Sequence, residues 1–429
     1  MLRQLSRPPP APRAAWALPV LAIILLAGPA GAEAPGSLVA PGATLEEVLA
    51  IARRLSPDLA ARALDTEAAQ ARVDIAGSLA DPTLRITSDE IDRTSGPRQN
   101  KMFFTVEQEF PLWGKRDLKR AQAGADVART QADARMTEAE LVEKVKVAFA
   151  QYYQTDQAIR TTEDLHRVVH DMARVARDRY AQGRGSQQEV YKAEVEITRL
   201  STEIVRLETK RRGATARLNA LLARPIDAPL ARPVKLRALP SDAALAPAAM
   251  MQRARAGNPS LAGGDAQIAA AAAGKQLADK SWYPDVTLKA GAIDRTGNGP
   301  NGYLAEIGLR VPLQWGLHDA QQREAAAQVG AAQARRQAQE LQIQSELGEF
   351  AADLAGSRRT ADLIRTQLLP QSQALLRSGT AGYGLGRAEL VDVLRSEHDL
   401  ADQRIELLSA EFDQQRQLAA IERLIGGDL

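Results

Sequence analysis

Hydrophobic and polar residues fall into distinct patterns along this chain, and each predicts a different element. Residues 14–27, AAWALPVLAIILLA, form an apolar run of 14. The basic, proline-rich residues 1–13 precede it, and GPAGA and Glu33 follow, with Ala30-Gly31-Ala32 fitting a small-x-small cleavage rule. This is the layout of a secretory signal peptide over 1–32. The run is shorter than the ~20 residues of a spanning helix, which argues against a permanent anchor. Further on, short segments alternate with period 2. Met102, Phe104, Val106 and Phe110 share one face, and Thr105, Glu107 and Glu109 share the other. Val286, Leu288, Ala290 and Ala292 alternate with Thr287, Lys289 and Gly291. Tyr303, Ala305, Ile307, Leu309 and Val311 alternate with Glu306, Gly308 and Arg310. The spacing predicts two β-hairpins, 83–111 (strands 83–93 and 101–111) and 285–313 (strands 285–294 and 303–313), with polar turns at Ser95-Gly96-Pro97 and RTGNGPNG. Strands of this length and period fit a membrane barrel with a lipid face and a watery lumen face, or a soluble hairpin packed on a core.

Between and after the hairpins the pattern turns helical. Residues 115–181 contain no proline and few glycines, predicting a rod of roughly 100 Å at 1.5 Å per residue. A counterpart spans 317–378, interrupted near Leu369-Pro370. A Gly-containing turn follows each rod and leads to a second helix, 186–222 or 388–425. Short helix pairs precede both hairpins, with a capping-box pattern at Thr44 and Glu47 and a restart at Ser56-Pro57. Frequent alanines let rods approach closely, as in coiled-coil walls.

The patterns repeat. SPDL at 56–59 recurs as NPSL at 258–261, LADPTLRI at 79–86 as WYPDVTL at 282–288, and VEQEFPLWGKRD at 106–117 as IGLRVPLQWGLHD at 307–319. Phe149-Ala150 recurs as Phe350-Ala351, and YAQGRGSQQEVYKAE at 180–194 as YGLGRAELVDVLRSE at 383–397. The offsets are 202, 202, 201, 201 and 203. Five markers in one order at a near-constant offset mean two tandem copies of one module. After the leader, the first repeat covers 33–223, a Pro-rich connector 224–247, and the second repeat 248–429. Pro225, Pro229, Pro233, Pro240 and Pro247 forbid a continuous helix through that connector. The fold class is mixed and mainly α. Four strands are too few to close a barrel, and a barrel that spans a membrane must be closed, so several chains are required.

Composition sharpens this picture. Aromatics are 4% and cysteine is absent. Disulfides, cysteine-ligated metals, thiol nucleophiles and a lipid anchor on an N-terminal cysteine are excluded. The net charge of +2 becomes −1 once Arg3, Arg7 and Arg13 of the leader are removed, so a general nucleic-acid surface has no support.

The leader, the doubled module, the hairpin ending at EFPLWGKRD and the long helix running into YAQGRGSQQEV resemble the TolC-like outer-membrane efflux proteins, over about residues 40–427. The resemblance implies a homotrimer whose chains build one twelve-stranded outer-membrane β-barrel, in contact with lipid and continued by an α-helical periplasmic tunnel. It implies an exit duct in a tripartite pump, with a periplasmic adaptor and an inner-membrane transporter of the resistance-nodulation-division type as partners. The compact PLWGKR most resembles the heavy-metal branch (cobalt–zinc–cadmium or copper/silver), with drugs, organic solutes or secreted polypeptide as alternative cargo. Anchoring rests on the barrel, since this chain has no cysteine for the lipid that many relatives carry. A soluble periplasmic coiled-coil adaptor is a further alternative, opposed by the doubled module.

In that family the Gly-containing turns form the periplasmic aperture and receive the adaptor. The matching residues here are Tyr180, Gly183, Arg184 and Glu189, and Tyr383, Gly386, Arg387, Asp392 and Arg395. Threefold symmetry makes Glu189 and Asp392 rings of acids, which favour cations and can pair with Arg184, Arg387 or Arg395. The alternative is ordinary acids at helix N-termini, where the dipole favours them. Glu107, Glu109, Glu306 and Arg310 are expected to line the barrel lumen. Trp113 and Trp315 suit an interfacial belt or a strand–helix corner.

Enzyme chemistry finds no support. His166 and His170 are spaced i,i+4, but no carboxylate or cysteine cluster accompanies them. His318 and His398 stand alone. GRGS at 183–186 and GYGLG at 382–386 follow no strand of a βαβ unit, and no serine elbow is present. No catalytic residue, metal site or cofactor is expected.

Overall fold

The computed structural model describes residues 40–90, 100–295 and 300–429. The proposed leader, the turn at Ser95-Gly96-Pro97 and half of RTGNGPNG (296–299) lie outside the described residues. Two short helices open the chain, α1 (Leu45–Leu55) and α2 (Pro57–Gly77). The Thr44 hydroxyl accepts from the Glu47 N–H, and Ser56 caps α2 with Pro57 in its first turn. Strands β1 (Thr83–Glu90) and β2 (Asn100–Phe110) follow, then the 67-residue α3 (Lys115–Ala181) and α4 (Gln187–Leu221). The second repeat presents α5 (Pro247–Gly257), α6 (Pro259–Asp279), β3 (Asp285–Arg295) and β4 (Gly302–Arg310). It ends with α7 (Trp315–Leu363), α8 (Leu369–Gly384) and α9 (Leu390–Ile425).

Some elements depart from the expected bounds for identifiable reasons. β4 stops at Arg310 rather than 313, because Pro312 has no N–H to continue a ladder. The break expected near Leu369-Pro370 is a single wide π-turn, Ile364–Leu368, and the rod carries on to Gly384 instead of ending at 378. Pro370 cannot donate to the carbonyl four residues back, and the widened turn absorbs that missing bond. The two hairpins are also not separate units. β2 pairs antiparallel with β3 along its length, giving one sheet of order β1-β2-β3-β4.

The repeat governs the packing. One core joins Val48 and Ala52 of α1 to Leu141, Val145 and Tyr152 of α3 and Leu218 and Leu222 of α4. The other joins Met250 and Ala254 of α5 to Ile343, Leu347 and Leu354 of α7 and Ile421 and Ile425 of α9. Each residue of the first set stands 202 or 203 positions before its counterpart in the second. A smaller apolar cluster lies far down the rods and includes Ala173, Ala176, Val190, Tyr383, Leu390 and Val393.

Candidate functional site

Two regions gather the candidate residues: the sheet and the paired helix–helix turns. Strand register decides what each face of the sheet presents, since facing residues point to the same side. Leu84 faces Val106, Ile86 faces Phe104, Leu288 faces Ile307 and Ala292 faces Tyr303. All of these lie on one side, and Tyr303 (94%), Ile307 (75%) and Leu84 (69%) are largely exposed. No described helix covers this side. Burying each large apolar side chain is worth roughly 1.5–3 kcal/mol, so a soluble hairpin resting on a core does not describe this sheet.

The opposite face is polar and charge-compensated on the half nearer the rods, with Phe103, Ile293 and Leu304 further along it. Thr83, Glu107, Lys289 and Glu306 stand in one row across the four strands. Lys289 reaches Glu306 at 3.1 Å, Arg85 reaches Glu107 at 3.8 Å, and Arg310 reaches Glu109 at 2.8 Å. The last pair bridges over β3, where Thr287 and Gly308 leave room. Glu107, Glu109, Glu306 and Arg310 thus share one face, as the alternation predicts. Every one of these acids has a cation beside it, so this face carries little uncompensated charge.

The corner between sheet and rods is stapled on the first repeat's side. The Lys115 Nζ donates to both carboxylate oxygens of Asp285 at 2.9 Å and to the Tyr283 carbonyl at 2.8 Å. The Trp113 indole N–H donates to the Pro284 carbonyl at 3.0 Å, and its ring lies 5.0 Å from that of Tyr283. Trp113 and Gly114 both take positive φ, 63° and 75°, to turn the strand exit into the helix. Trp315 starts α7 and is 68% exposed.

At the far end, α3 and α8 close with the same motif. Gly183 and Gly386 have φ of 68° and 72°. Gly183 N–H donates to Tyr180 O and Arg184 N–H to Arg179 O, both at 2.9 Å. Gly386 N–H donates to Tyr383 O at 3.0 Å and Arg387 N–H to Gly382 O at 2.8 Å. Glycine suits this left-handed closing position. The α4 start is capped by Ser186, whereas α9 has Glu389 at that position with no side-chain cap.

The two turns match in backbone and differ in side chains. Tyr180 is 48% exposed, and Tyr383 is buried. The Arg179 guanidinium lies 4.5 Å over the Tyr383 ring and donates to its backbone carbonyl at 3.1 Å. This contact ties the first helical hairpin to the second. Burial, and next the nearby Glu189 carboxylate, push the Tyr383 phenol pKa up. Glu189 is half-buried in the first turn of α4, while Asp392 is exposed in the first turn of α9. Among the described residues, neither acid forms an ion pair with Arg184, Arg387 or Arg395 inside one chain. Arg179 escaped the sequence reading because it sits in an ordinary helical charge pattern; a repeat-aware comparison of the two turns was its one available signal.

Three of the four histidines are engaged locally, and His170 is exposed. His166 meets the Ser201 hydroxyl at 3.3 Å, and His318 meets the Ser281 hydroxyl at 3.0 Å. His398 has Glu196 at 3.7 Å on one nitrogen and Asp402 at 3.4 Å on the other. Its two nitrogens face different carboxylates, so one ion cannot take all three groups. Among the described residues, no group of three His, Cys, Asp or Glu is placed to hold a metal.

The chain is similar to several known proteins. The cobalt-zinc-cadmium resistance protein CzcC of Cupriavidus metallidurans is 27% identical over 147 residues, covering 34% of this chain and 34% of CzcC. The protein CyaE of Bordetella pertussis is 31% identical over 180 residues, 40% of this chain and 37% of CyaE. The chain thus spans little more than a third of the curated relatives it matches. In fold, the outer membrane protein VceC of Vibrio cholerae superposes with a TM-score of 0.75 at 19% identity, covering 90% of this chain and 96% of VceC. The profile of the outer membrane efflux protein family matches twice, over residues 48–224 and 250–427, once for each repeat. With both halves matched and the channel fold shared, the chain belongs to the outer membrane efflux protein family.

Proposed function

We propose that this chain is the outer-membrane exit duct of a tripartite efflux pump and that its cargo is heavy-metal cations. The observation that carries the duct reading is the sheet: four strands with both edges open, one bare apolar face, one compensated polar face, and helical rods continuing from its ends. Three copies supply the strands of a closed barrel, which removes the edges and sets the apolar face in lipid. The rods then wall a periplasmic tunnel, and the turns around Gly183 and Gly386 form its narrow end, where a periplasmic adaptor docks and an inner-membrane pump of the resistance-nodulation-division type supplies the energy. The chain is exported by its leader and held by the barrel. The likeness to CzcC supports metal cations as the cargo.

The test has two readouts. Membrane fractionation is expected to place the protein in the outer membrane as a trimer; a soluble monomer overturns the duct. Deletion is expected to sensitise cells to cobalt, zinc, cadmium, copper or silver salts. Sensitivity confined to dyes and detergents overturns the metal assignment and leaves the duct standing.

A further inference from the structure

Partway along the rods, where α3, α4 and α9 meet, a charged cluster borders an apolar one. Leu165 and Val169 of α3, Leu200 of α4 and Ala401 of α9 form a small buried core, with Ile197 and Leu394 packed against it. On α9, His398 lies one turn from both Leu394 and Ala401, and on α4 Glu196 lies one turn from Leu200. The His398 Nδ1 is 3.7 Å from the Glu196 carboxylate, and its Nε2 is 3.4 Å from that of Asp402, one turn further along α9. The Glu196 contact joins the two helical hairpins of the chain, whereas the Asp402 contact stays within one helix. His398 and Glu196 are half-buried, so water and salt screen their attraction only in part.

Both ring nitrogens face carboxylates, and this decides which protonation state the site suits. A neutral imidazole donates from one nitrogen and presents a lone pair from the other, so one of the two acids must meet that lone pair. An imidazolium carries an N–H on each nitrogen and is attracted by both acids. Histidine is the side chain that takes up this charge between about pH 8 and pH 5. We infer that protonation of His398 latches the second helical hairpin of a chain to the first through Glu196, so that this junction holds more firmly in mildly acidic than in alkaline surroundings. In the proposed duct the latch holds the turns around Gly183 and Gly386 in the arrangement described above, and that consequence rests on the duct reading.

The surrounding charges leave this role to His398. Arg199 reaches Glu196 at 3.8 Å from its own helix and keeps its charge throughout this range. α3 brings Leu165 and Val169 to the seam, and its His166 meets the Ser201 hydroxyl instead. α8 carries Arg377 as its one charge, and that side chain donates to the Gln373 carbonyl at 3.2 Å. Glu397, next in sequence, responds to Arg404. The tie nearer the turns, Arg179 to Tyr383, rests on a guanidinium that does not titrate here. The histidine is also a departure from the repeat. α4 and α9 correspond at the offset of 203, which sets Val195 at the place of His398, Asp399 at that of Glu196 and Arg199 at that of Asp402. The repeat-related counterpart of this junction therefore has no imidazole, and the response to protons belongs to the seam inside one chain.

The natural absence of cysteine allows site-directed spin labelling of the full chain. Gln182→Cys and Leu385→Cys place labels at exposed positions beside the two turns. With labelled copies diluted among unlabelled ones, the label distance reports the spacing of the two hairpins within one chain. In the otherwise unaltered protein the population at the shorter distance is expected to rise about threefold from pH 8 to pH 5.5, a change that a half-exposed ion pair supports. His398→Gln and Glu196→Gln are each expected to abolish the response, and His398→Lys to hold the shorter distance at both pH values. A response that survives either glutamine substitution overturns the latch, as does a protein with His398 and Glu196 intact that shows none. Conductance in planar bilayers is read separately. A folded chain that conducts nothing counts against the duct and leaves the spacing result standing.

Discussion

Lys146 shows how a single charge can bind the two repeats. Its side chain is 4% exposed in the middle of α3, yet it meets Glu422 of α9 at 2.8 Å and also Asp428. Glu422 is equally buried and accepts a second cation, Arg237 of the connector. Removing one member of a buried pair leaves the other charge without compensation, which costs about 3–5 kcal/mol. Lys146→Met is expected to lose close to the lower figure, because Arg237 remains, and Lys146→Arg much less; the midpoint of heat-induced loss of circular dichroism measures both. Lys146 holds the Asp428 carboxyl below its usual range. That contribution is present above the unfolded pKa of ~3.9 and fades as pH falls through the lower folded value. Glu397 behaves in the opposite sense, since burial pushes its pKa up with only partial relief from Arg404. Its favourable contribution exists below the unfolded value of ~4.3 and disappears as pH rises, so at neutral pH the ionised carboxylate opposes folding. Glu397→Gln is expected to raise the melting midpoint slightly at pH 7, with the gain shrinking toward pH 4. None of these partners was legible in the sequence. They lie as much as 282 positions apart, and each sits within an ordinary amphipathic charge pattern.

At the scale of elements, backbone chemistry made most of the fold readable. A proline-free stretch became α3 to within its capping residues, and the Gly183 and Gly386 positions closed the rods as their left-handed preference requires. The pairing of β2 with β3 was not readable, because period 2 says which face a residue occupies and nothing about which strand lies beside it. A close crossing was equally invisible. Gly426 ends α9 at φ 75°, and a Cβ placed there would lie 2.0 Å from the Gly257 carbonyl oxygen at the end of α5. Gly426→Ala combines a left-handed conformational penalty of about 1–2 kcal/mol with an overpacking cost of about 1–3 kcal/mol. Its neighbour Gly427 has open space around it and no positive φ. Gly427→Ala is expected to stay within about 0.5 kcal/mol of the parent protein in the same melting experiment. Equal losses in both variants would show that the α5–α9 crossing is looser than the geometry implies.

For the whole molecule, the distribution of uncompensated charge decides where ion preference resides. Glu107, Glu109, Glu306 and Arg310 are the residues the sequence assigns to the barrel lumen. The strand register places Arg85, Arg310 and Lys289 beside the three acids, so a ring built from this face carries paired charges. At the opposite end, Arg179 is committed to Tyr383, and Glu189 is half-buried. Asp392 is exposed and has no cation beside it among the described residues. Sections of a pore act in series, so its narrowest section dominates both resistance and selectivity, and a fixed charge acts most strongly where the pore is tight. In the proposed trimer, three copies of Asp392 gather at the tunnel's narrow end, whereas the barrel charges face a wide lumen. Asp392→Asn is therefore expected to move the reversal potential in a KCl gradient toward zero in planar bilayers. The E109Q/R310Q double variant removes one paired acid and its cation together and is expected to leave the reversal potential unchanged. If the barrel variant shifts it and Asp392→Asn does not, selectivity belongs to the sheet, and Asp392 serves as a helix-terminal acid that favours the dipole of α9.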